Sequence, residues 1–411
     1  MGEQIKKIKV AWICRVSDPD INDRLKPLKR TPQVSPWISH TANYLSDDPE
    51  IELHIISPHE YITGIKRFNR NGVYYYFFNN NIPIWGRHWP GIFKWDIMTN
   101  YVHNKRVVRK IIQAINPDVI HLQGAENPYY SITALQFLGK YPLVVNLQRM
   151  TLNFFRGYHK EAIKAVEVEK EILSKFKHFT IRTKKMKEDL LYFNPNAITY
   201  WVRYSIPELV PKSVKKEYDM VYFAQICKTK GIEDTIECLR ILKSKFRKVT
   251  LCIMGSCNST YKEYLLNIAE EKGVGDCILW KGFLPSLEEV HNEASRTKIS
   301  VLPTYYDIIP GTIIESMQLG LPVVSYKAGS ISELNEDREN VLLSEIGDIE
   351  GLANNIIRLL TDDDLYNTMR ERGIDCIKNR YNNENVFQQH LDCYHQVIED
   401  FRQSKGNICK Q

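Results

Sequence analysis

Short runs of β-branched and apolar residues alternate with longer amphipathic stretches along the chain, the pattern of α/β domains built on parallel sheets. In the first half this pattern predicts strands at 8–14, 51–57, 73–78, 119–122, 143–147, 178–181 and 197–201. Helices are predicted between them at 36–45, 95–115, 131–138, 161–176 and 183–192. The alternation lapses over 207–216, where Pro207, Pro211 and a polar run intervene, and it restarts with a strand at 219–224. Strands at 249–254, 276–280, 298–302 and 322–325 follow, with helices at 232–242, 261–272, 287–295, 313–319, 348–360, 363–378 and 383–401. The simplest architecture is two doubly wound domains facing each other across a cleft, with ligands at the carboxyl ends of the strands.

Composition agrees with that division. The chain has 411 residues, longer than one compact domain usually is, and is 43% hydrophobic and 25% charged with no low-complexity tract. Its nine cysteines are an odd number at irregular spacings without a CxxC pair, so they read as reduced thiols and the compartment as reducing. The apolar stretch 8–14 ends at Arg15, too short for a signal h-region, and no apolar run approaches the ~18 residues of a membrane span. A cytoplasmic protein, soluble or peripheral, is expected. Charge is uneven: residues 1–200 hold 29 Lys and Arg against 18 Asp and Glu, whereas the rest is mildly acidic. An anionic partner for the first half, either nucleic acid or a membrane surface, competes with ordinary solvated lysines.

The stretch 301–324 bears the most chemistry. A buried strand ends near Pro303, a loop carries Asp307, and Pro310-Gly311-Thr312 leads into a helix with Glu315 in its first turn. Thr312 suits an N-cap, the N–H groups behind it suit an anion, and Gly311 lets a diphosphate approach the backbone. Glu315 is placed to accept from a ribose diol and Asp307 to orient sugar hydroxyls. Both residues also have ordinary readings, since the helix dipole alone favours Glu315 and loops favour Asp.

This segment resembles the E-x7-E motif of retaining GT-B glycosyltransferases of family 4. Glu315-Ser316-Met317 and Gly320-Leu321-Pro322-Val323-Val324 match it, with Asp307 in place of the first Glu. The resemblance continues through Lys230-Gly231, Ile253-Met254-Gly255, Trp280-Lys281-Gly282-Phe283 and the loop from Ala328 to Glu333. Gln225 stands where the family carries Arg, without the charged fork. In the first half Pro117-Asp118-Val119-Ile120-His121 looks like the family's Pro-Asp-x-x-His, and Gln123 replaces its second His. Glu126 and Arg182-Thr183 resemble positions in a bacterial surface-polysaccharide branch. The glycine loop expected after the first strand is missing, because residues 15–35 contain no glycine.

The resemblance implies a GT-B fold of two Rossmann-like doubly wound domains. An acceptor domain at 1–207 would be joined by a closing helix at 384–405 that crosses back to it, and a donor domain would occupy 208–383. It implies a catalytic set of Asp307, Lys230 and His121. The nucleotide sugar would be bound by Glu315, Gly311, Thr312, Ile313, Gln225, Gly255, Glu333 and Gln123. The expected donor is a UDP- or GDP-sugar, used without a metal or other cofactor, and the acceptor is a saccharide or lipid-linked. Partners would include an anionic membrane at the inner face of the plasma membrane but no nucleic acid. Two rivals share the fold: a non-catalytic relative that binds nucleotide sugars, and a sugar-nucleotide 2-epimerase. The sequence contains no G-x-G-x-x-G, Walker loop, G-x-S-x-G or H-E-x-x-H. The aromatic run from Tyr74 to Phe78 reads as a strand.

Overall fold

A computed structural model describes residues 7–31, 35–80, 94–148, 150, 159–206, 208–211, 214–246 and 248–408. Pro207, Lys212 and Ser213 of the inter-domain stretch, and Cys409, lie outside them. The chain divides into two compact units, one of Met1–Ile206 with Asn383–Gln411 and the other of Pro207–Asn382.

The first unit is built on β1 (Ile8–Ile13), β2 (Ile51–His59), β3 (Ile65–Arg70), β4 (Val73–Asn79), β5 (Val119–Gln123), β6 (Leu143–Asn146), β7 (His178–Ile181) and β8 (Ile198–Trp201). Their order is β3-β4-β2-β1-β5-β6-β7-β8. Every pair is parallel except β3–β4. The strand order reverses at β1, which pairs with β2 on one side and β5 on the other. Around the sheet lie α1 (Pro19–Leu25), α2 (Pro36–Ser46), α3 (Trp95–Met98), α4 (Val102–Ile115), α5 (Pro128–Ser131), α6 (Lys160–Lys175) and α7 (Lys184–Phe193).

The second unit has an all-parallel sheet of β9 (Tyr218–Phe223), β10 (Leu251–Met254), β11 (Ile278–Gly282), β12 (Thr297–Leu302), β13 (Val323–Tyr326) and β14 (Leu342–Ser344), in the order β11-β10-β9-β12-β13-β14. Its helices are α8 (Ile232–Lys245), α9 (Ser259–Glu271), α10 (Leu287–Ser295), α11 (Gly311–Gln318), α12 (Ile349–Thr361) and α13 (Asp363–Arg380). The reversal here falls at β9, between β10 and β12.

The last helix, α14 (Asn383–Ile408), belongs to the first unit. Leu391, Tyr394 and Val397 join Val10, Trp12 and Val119 in one buried cluster, so the apolar stripe of α14 completes the core over β1 and β5. Trp12 Nε1 donates to Tyr394 Oη at 2.9 Å, which satisfies a polar handle that burial would otherwise leave unpaired.

Several elements depart from the periodic pattern. β3 was not among the expected strands, since Lys66, Arg67 and Arg70 mask its alternation. It pairs antiparallel with β4 through Asn71-Gly72, whose φ angles of 49° and 80° suit a tight hairpin, and its charges guard a sheet edge. The helix expected over 95–115 is broken into α3 and α4, because Asn100 and Tyr101 take left-handed conformations (φ 51° and 55°). The helix expected over 131–138 is the short α5 followed by a 3₁₀ turn over Ile132–Phe137. α1 and β14 are too short for periodicity to show them. α1 is held at its start by Asp18, which accepts from Ile21 N–H at 2.8 Å.

Candidate active site

In a doubly wound sheet the crevice opens where strand order reverses, at the carboxyl ends of the strands. In the second unit that point lies between β9 and β12, and the segments leaving these two strands carry Lys230 and Asp307. Their contact depends on a close backbone approach. Gly231 has φ 72°, and a Cβ there would lie 1.9 Å from Pro303 O, so only glycine lets the two segments meet. Tyr305 N–H then donates to Thr229 O at 2.9 Å, and Lys230 Nζ reaches Asp307 Oδ2 at 2.5 Å. Thr304 Oγ1 donates to the same carboxylate oxygen at 2.7 Å.

A second set of contacts fixes this loop from behind. Asp234, in the first turn of α8, accepts from Tyr305 Oη at 2.5 Å and Tyr326 Oη at 2.7 Å. Burial and the Asp234 carboxylate push the Tyr305 phenol up to about 12, so it stays a donor. Gly329, with φ 55°, is so close that a Cβ would fall 1.6 Å from Asp307 O, and Ser330 N–H donates to Ile308 O at 2.9 Å. The loop from Ala328 to Glu333 therefore acts on the site by clamping the backbone of Asp307. Glu333 itself is half-buried in a 3₁₀ turn over Ile331–Asn335.

Helix α11 starts two residues earlier than a Thr312 cap would place it. Its N-cap is Pro310, which makes no side-chain cap, and Thr312 is the second helical residue. The expectation of a Thr312 cap is corrected: proline fixes the entering φ, and Gly311 follows as the first helical residue. Glu315 accordingly lies at the fifth helical position, beyond the first turn. Ile313 and Ile314 N–H both turn back to Pro310 O, at 3.1 and 3.4 Å, which removes Ile313 from the expected anion-binding set. The N–H groups of Gly311 and Thr312 have no acceptor among the described residues. The start of α11 thus leaves two N–H groups open to an anion.

Glu315 has a partner that sequence reasoning missed. His291, on α10 and 7% exposed, places Nε2 3.0 Å from Glu315 Oε2. Asp234 and Thr304 were missed as well. A carboxylate in a first helical turn and a buried histidine carry no periodic signal, because both have ordinary readings there. Gln225 is exposed, at the end of β9. Gly255 (φ 145°) brings β10 against Ala224, where a Cβ would meet Ala224 O at 1.8 Å.

The first unit contributes differently than expected. His121 is 0% exposed, and its Nδ1 lies 2.9 Å from Tyr394 Oη within the α14-facing core. Burial holds its pKa well below the usual value. The catalytic role expected of His121 is therefore corrected: its place on β5 points it into the core. Gln123, 1% exposed, accepts from Asn146 Nδ2 at 2.7 Å, and Asn146 accepts in turn from Thr180 Oγ1 at 3.1 Å. Beyond it Glu126, 3% exposed, and Arg182, whose guanidinium lies 3.7 Å from the Tyr204 ring centroid, sit past the ends of β5 and β7. At the reversal between β1 and β5 a cavity of about 350 Å³ is lined by Arg15, Glu126, Tyr129, His159 and Glu161 among others.

Among the described residues no group of three or more His, Cys, Asp and Glu could hold a metal ion. No described helix is long and apolar enough to cross a membrane. The eight described cysteines are free.

Comparison with known proteins gives this geometry a context. Residues 207–375 match the family model described as glycosyl transferases group 1. The chain is 23% identical over 200 residues to N-acetyl-alpha-D-glucosaminyl L-malate synthase of Bacillus anthracis, covering 47% of this chain and 51% of that protein. It is 22% identical over 198 residues to the capsular polysaccharide biosynthesis glycosyltransferase CapM of Staphylococcus aureus, covering 47% and 50%. The chain thus spans about half the length of the curated relatives it matches. Among solved structures, sucrose-phosphate synthase of Thermosynechococcus elongatus superimposes with a TM-score of 0.75 at 15% identity, covering 96% of this chain and all of that one. The fold is the GT-B pair of Rossmann-like domains.

Proposed function

Starting from a second unit whose residues 207–375 carry a glycosyl transferases group 1 domain, we propose that the chain is a glycosyltransferase. It moves a sugar from a UDP- or GDP-sugar to a saccharide or lipid-linked acceptor in cell-surface polysaccharide synthesis. The observation that supports this best is the contact of Lys230 with Asp307 at the strand reversal of the second sheet, beside the start of α11.

Each residue then has a distinct task. Lys230 and the N–H groups of Gly311 and Thr312 stabilise the diphosphate as it leaves, a task suited to a fixed cation and oriented dipoles. Asp307 takes the hydroxyls of the donor sugar. Glu315, oriented by His291, accepts from the ribose diol. Gly255 keeps the rim of the sheet open to the nucleotide. Transfer proceeds with retention, by attack on the face the diphosphate leaves, and needs no metal. The enzyme works on the cytoplasmic side, where its basic first half meets the anionic inner face of the membrane. The capsular and malate-linked activities printed in the names of the two curated relatives favour a surface-polymer or small hydroxylated acceptor.

Incubation with labelled UDP- and GDP-sugars, with and without EDTA, tests the reading. Release of nucleoside diphosphate and an axially retained linkage are expected, with EDTA having no effect. No donor turnover overturns the transferase assignment, and full turnover in Glu315→Ala overturns the ribose-binding role given to Glu315. Epimerised donor without acceptor would mark an isomerase instead.

A further inference from the structure

We propose that Cys227 and Cys257, beyond the carboxyl ends of β9 and β10, form an oxidisable thiol pair, and that their conversion to a disulfide by a peroxide disables the donor site. The pair itself stands on its own geometry, whereas its effect on turnover rests on the transferase reading.

Exposure singles the two residues out. Among the eight described cysteines six are buried, and Cys227 and Cys257 are the two that are not. They are also neighbours. The parallel ladder of β9 and β10 runs on past both strands, with Ala224 N–H donating to Met254 O at 3.2 Å and Ile226 N–H to Ser256 O at 2.9 Å. Each cysteine is the residue that follows this last hydrogen bond, and Cys227 is still extended, with φ −153° and ψ 162°. Adjacent strands lie about 4.8 Å apart, within the ~4.4–6.8 Å between Cα atoms that a disulfide spans. Both thiols also act on one buried phenol, that of Tyr222, whose pKa is raised first by burial and then by their charges.

Burial raises the Cys257 pKa, with Lys262 pulling against it and Cys227 adding to it, so the first attack is assigned to Cys227. Its sulfur takes one oxygen from hydrogen peroxide, giving a sulfenic acid and releasing water. Cys257 then attacks that sulfur, the S–S bond forms and a second water leaves. Two electrons pass from the sulfur pair to the peroxide, and both thiol protons end in water. A dithiol reductant reverses the reaction.

Cys227 is tied to the donor site through its own turn. Its carbonyl accepts from Lys230 N–H at 3.0 Å, its Sγ lies 3.3 Å from Thr229 Oγ1, and Thr229 O accepts from Tyr305 N–H. A bond of about 2.05 Å to Cys257 Sγ takes the sulfur away from Thr229 and pulls on the turn that ends in Lys230. The contact of Lys230 with Asp307 is then lost.

Treatment of the full chain with hydrogen peroxide, followed by alkylation, digestion and mass spectrometry, tests the pair. A peptide linking Cys227 to Cys257 is expected, lighter by two hydrogens than its halves and separated again by dithiothreitol. Donor turnover should fall about tenfold or more with the link, as a misplaced catalytic group commonly causes, and return on reduction. Cys227→Ser and Cys257→Ser should each turn over donor at close to the wild-type rate before peroxide and lose the response to it. Sulfinic acid at either residue without a link overturns the proposal, and so does a link from either one to Cys409 or to a second molecule. A Cys227–Cys257 link that leaves turnover unchanged overturns the control of the donor site. If the reduced wild type turns over no donor, the transferase reading falls, and the linked peptide still decides whether the pair exists.

Discussion

At the scale of single residues, the site is held by groups with one geometry open to them. Among the described residues Lys230 is the only cation placed on Asp307, and Tyr305, two residues before Asp307, is anchored by Asp234. Lys230→Ala is expected to lower donor turnover roughly 10²–10³-fold, as loss of one oriented group facing developing charge commonly does, while the melting temperature changes little. Steady-state turnover with the preferred donor, beside a thermal melt, checks both halves. Tyr394 is the contrasting case, a residue concerned with stability alone. Its hydroxyl accepts from Trp12 and lies 2.9 Å from His121 Nδ1. Tyr394→Phe strands two buried polar atoms and should cost about 1–3 kcal/mol in denaturant unfolding without altering donor affinity. His121 and Asp307 show how far residue identity alone can be read. Both stand at motif positions, yet one strand residue faces the core and the other leaves the sheet on an open loop. A sequence gives the alternation of a strand but does not say which face a later helix will cover.

Among the elements, turns and close approaches matter more than helix or strand propensity. Gly231, Gly255 and Gly329 each admit a carbonyl of another segment at a distance that a side chain would forbid. Gly231→Ala would combine a left-handed backbone with a collision against Pro303. A loss of at least ~1–3 kcal/mol is expected, together with separation of Lys230 from Asp307. The check is donor turnover and urea unfolding on the same variant. Turnover that survives with lowered stability would show that the two loops need not touch. Long amphipathic helices and buried strands were legible from the sequence, as the match of α8, α10, α12 and α13 to their expected positions shows. Misread elements share one cause, since local geometry interrupted the period. Positive φ at Asn100 and Tyr101 split one helix in two, and charges on β3 hid an edge strand whose hairpin signal, Asn71-Gly72, was present.

For the whole molecule, acid is expected to act unequally on the two units. His59 and His178 have pKa values lowered to about 4 and His390 to about 3, with burial the leading cause in each, and all three belong to the first unit. Their unfolded forms bind protons near pH 6.5 while their folded forms do not until far lower. The stability they contribute is therefore fully present above pH 6.5 and is lost as pH falls towards their folded values. Between pH 7 and pH 5 each should remove roughly 2 kcal/mol, and the carboxylates with lowered pKa in the second unit do not titrate in that window. Calorimetry at the two pH values should show the first unit's transition falling further, and equal shifts in both would refute it. The sequence by itself determined the two α/β units, the boundary near Pro207, and the position of the segment that carries Asp307 and Glu315. These follow from local period, composition and a motif carried on consecutive residues. Only the tertiary structure decided that Lys230 meets Asp307, that His291 stands behind Glu315, that Ile313 N–H is already taken and that His121 is core. Three of those facts join segments far apart in sequence and are set by sheet order and by which backbones glycine lets touch, whereas the Ile313 N–H is taken locally, by Pro310 O at the helix start.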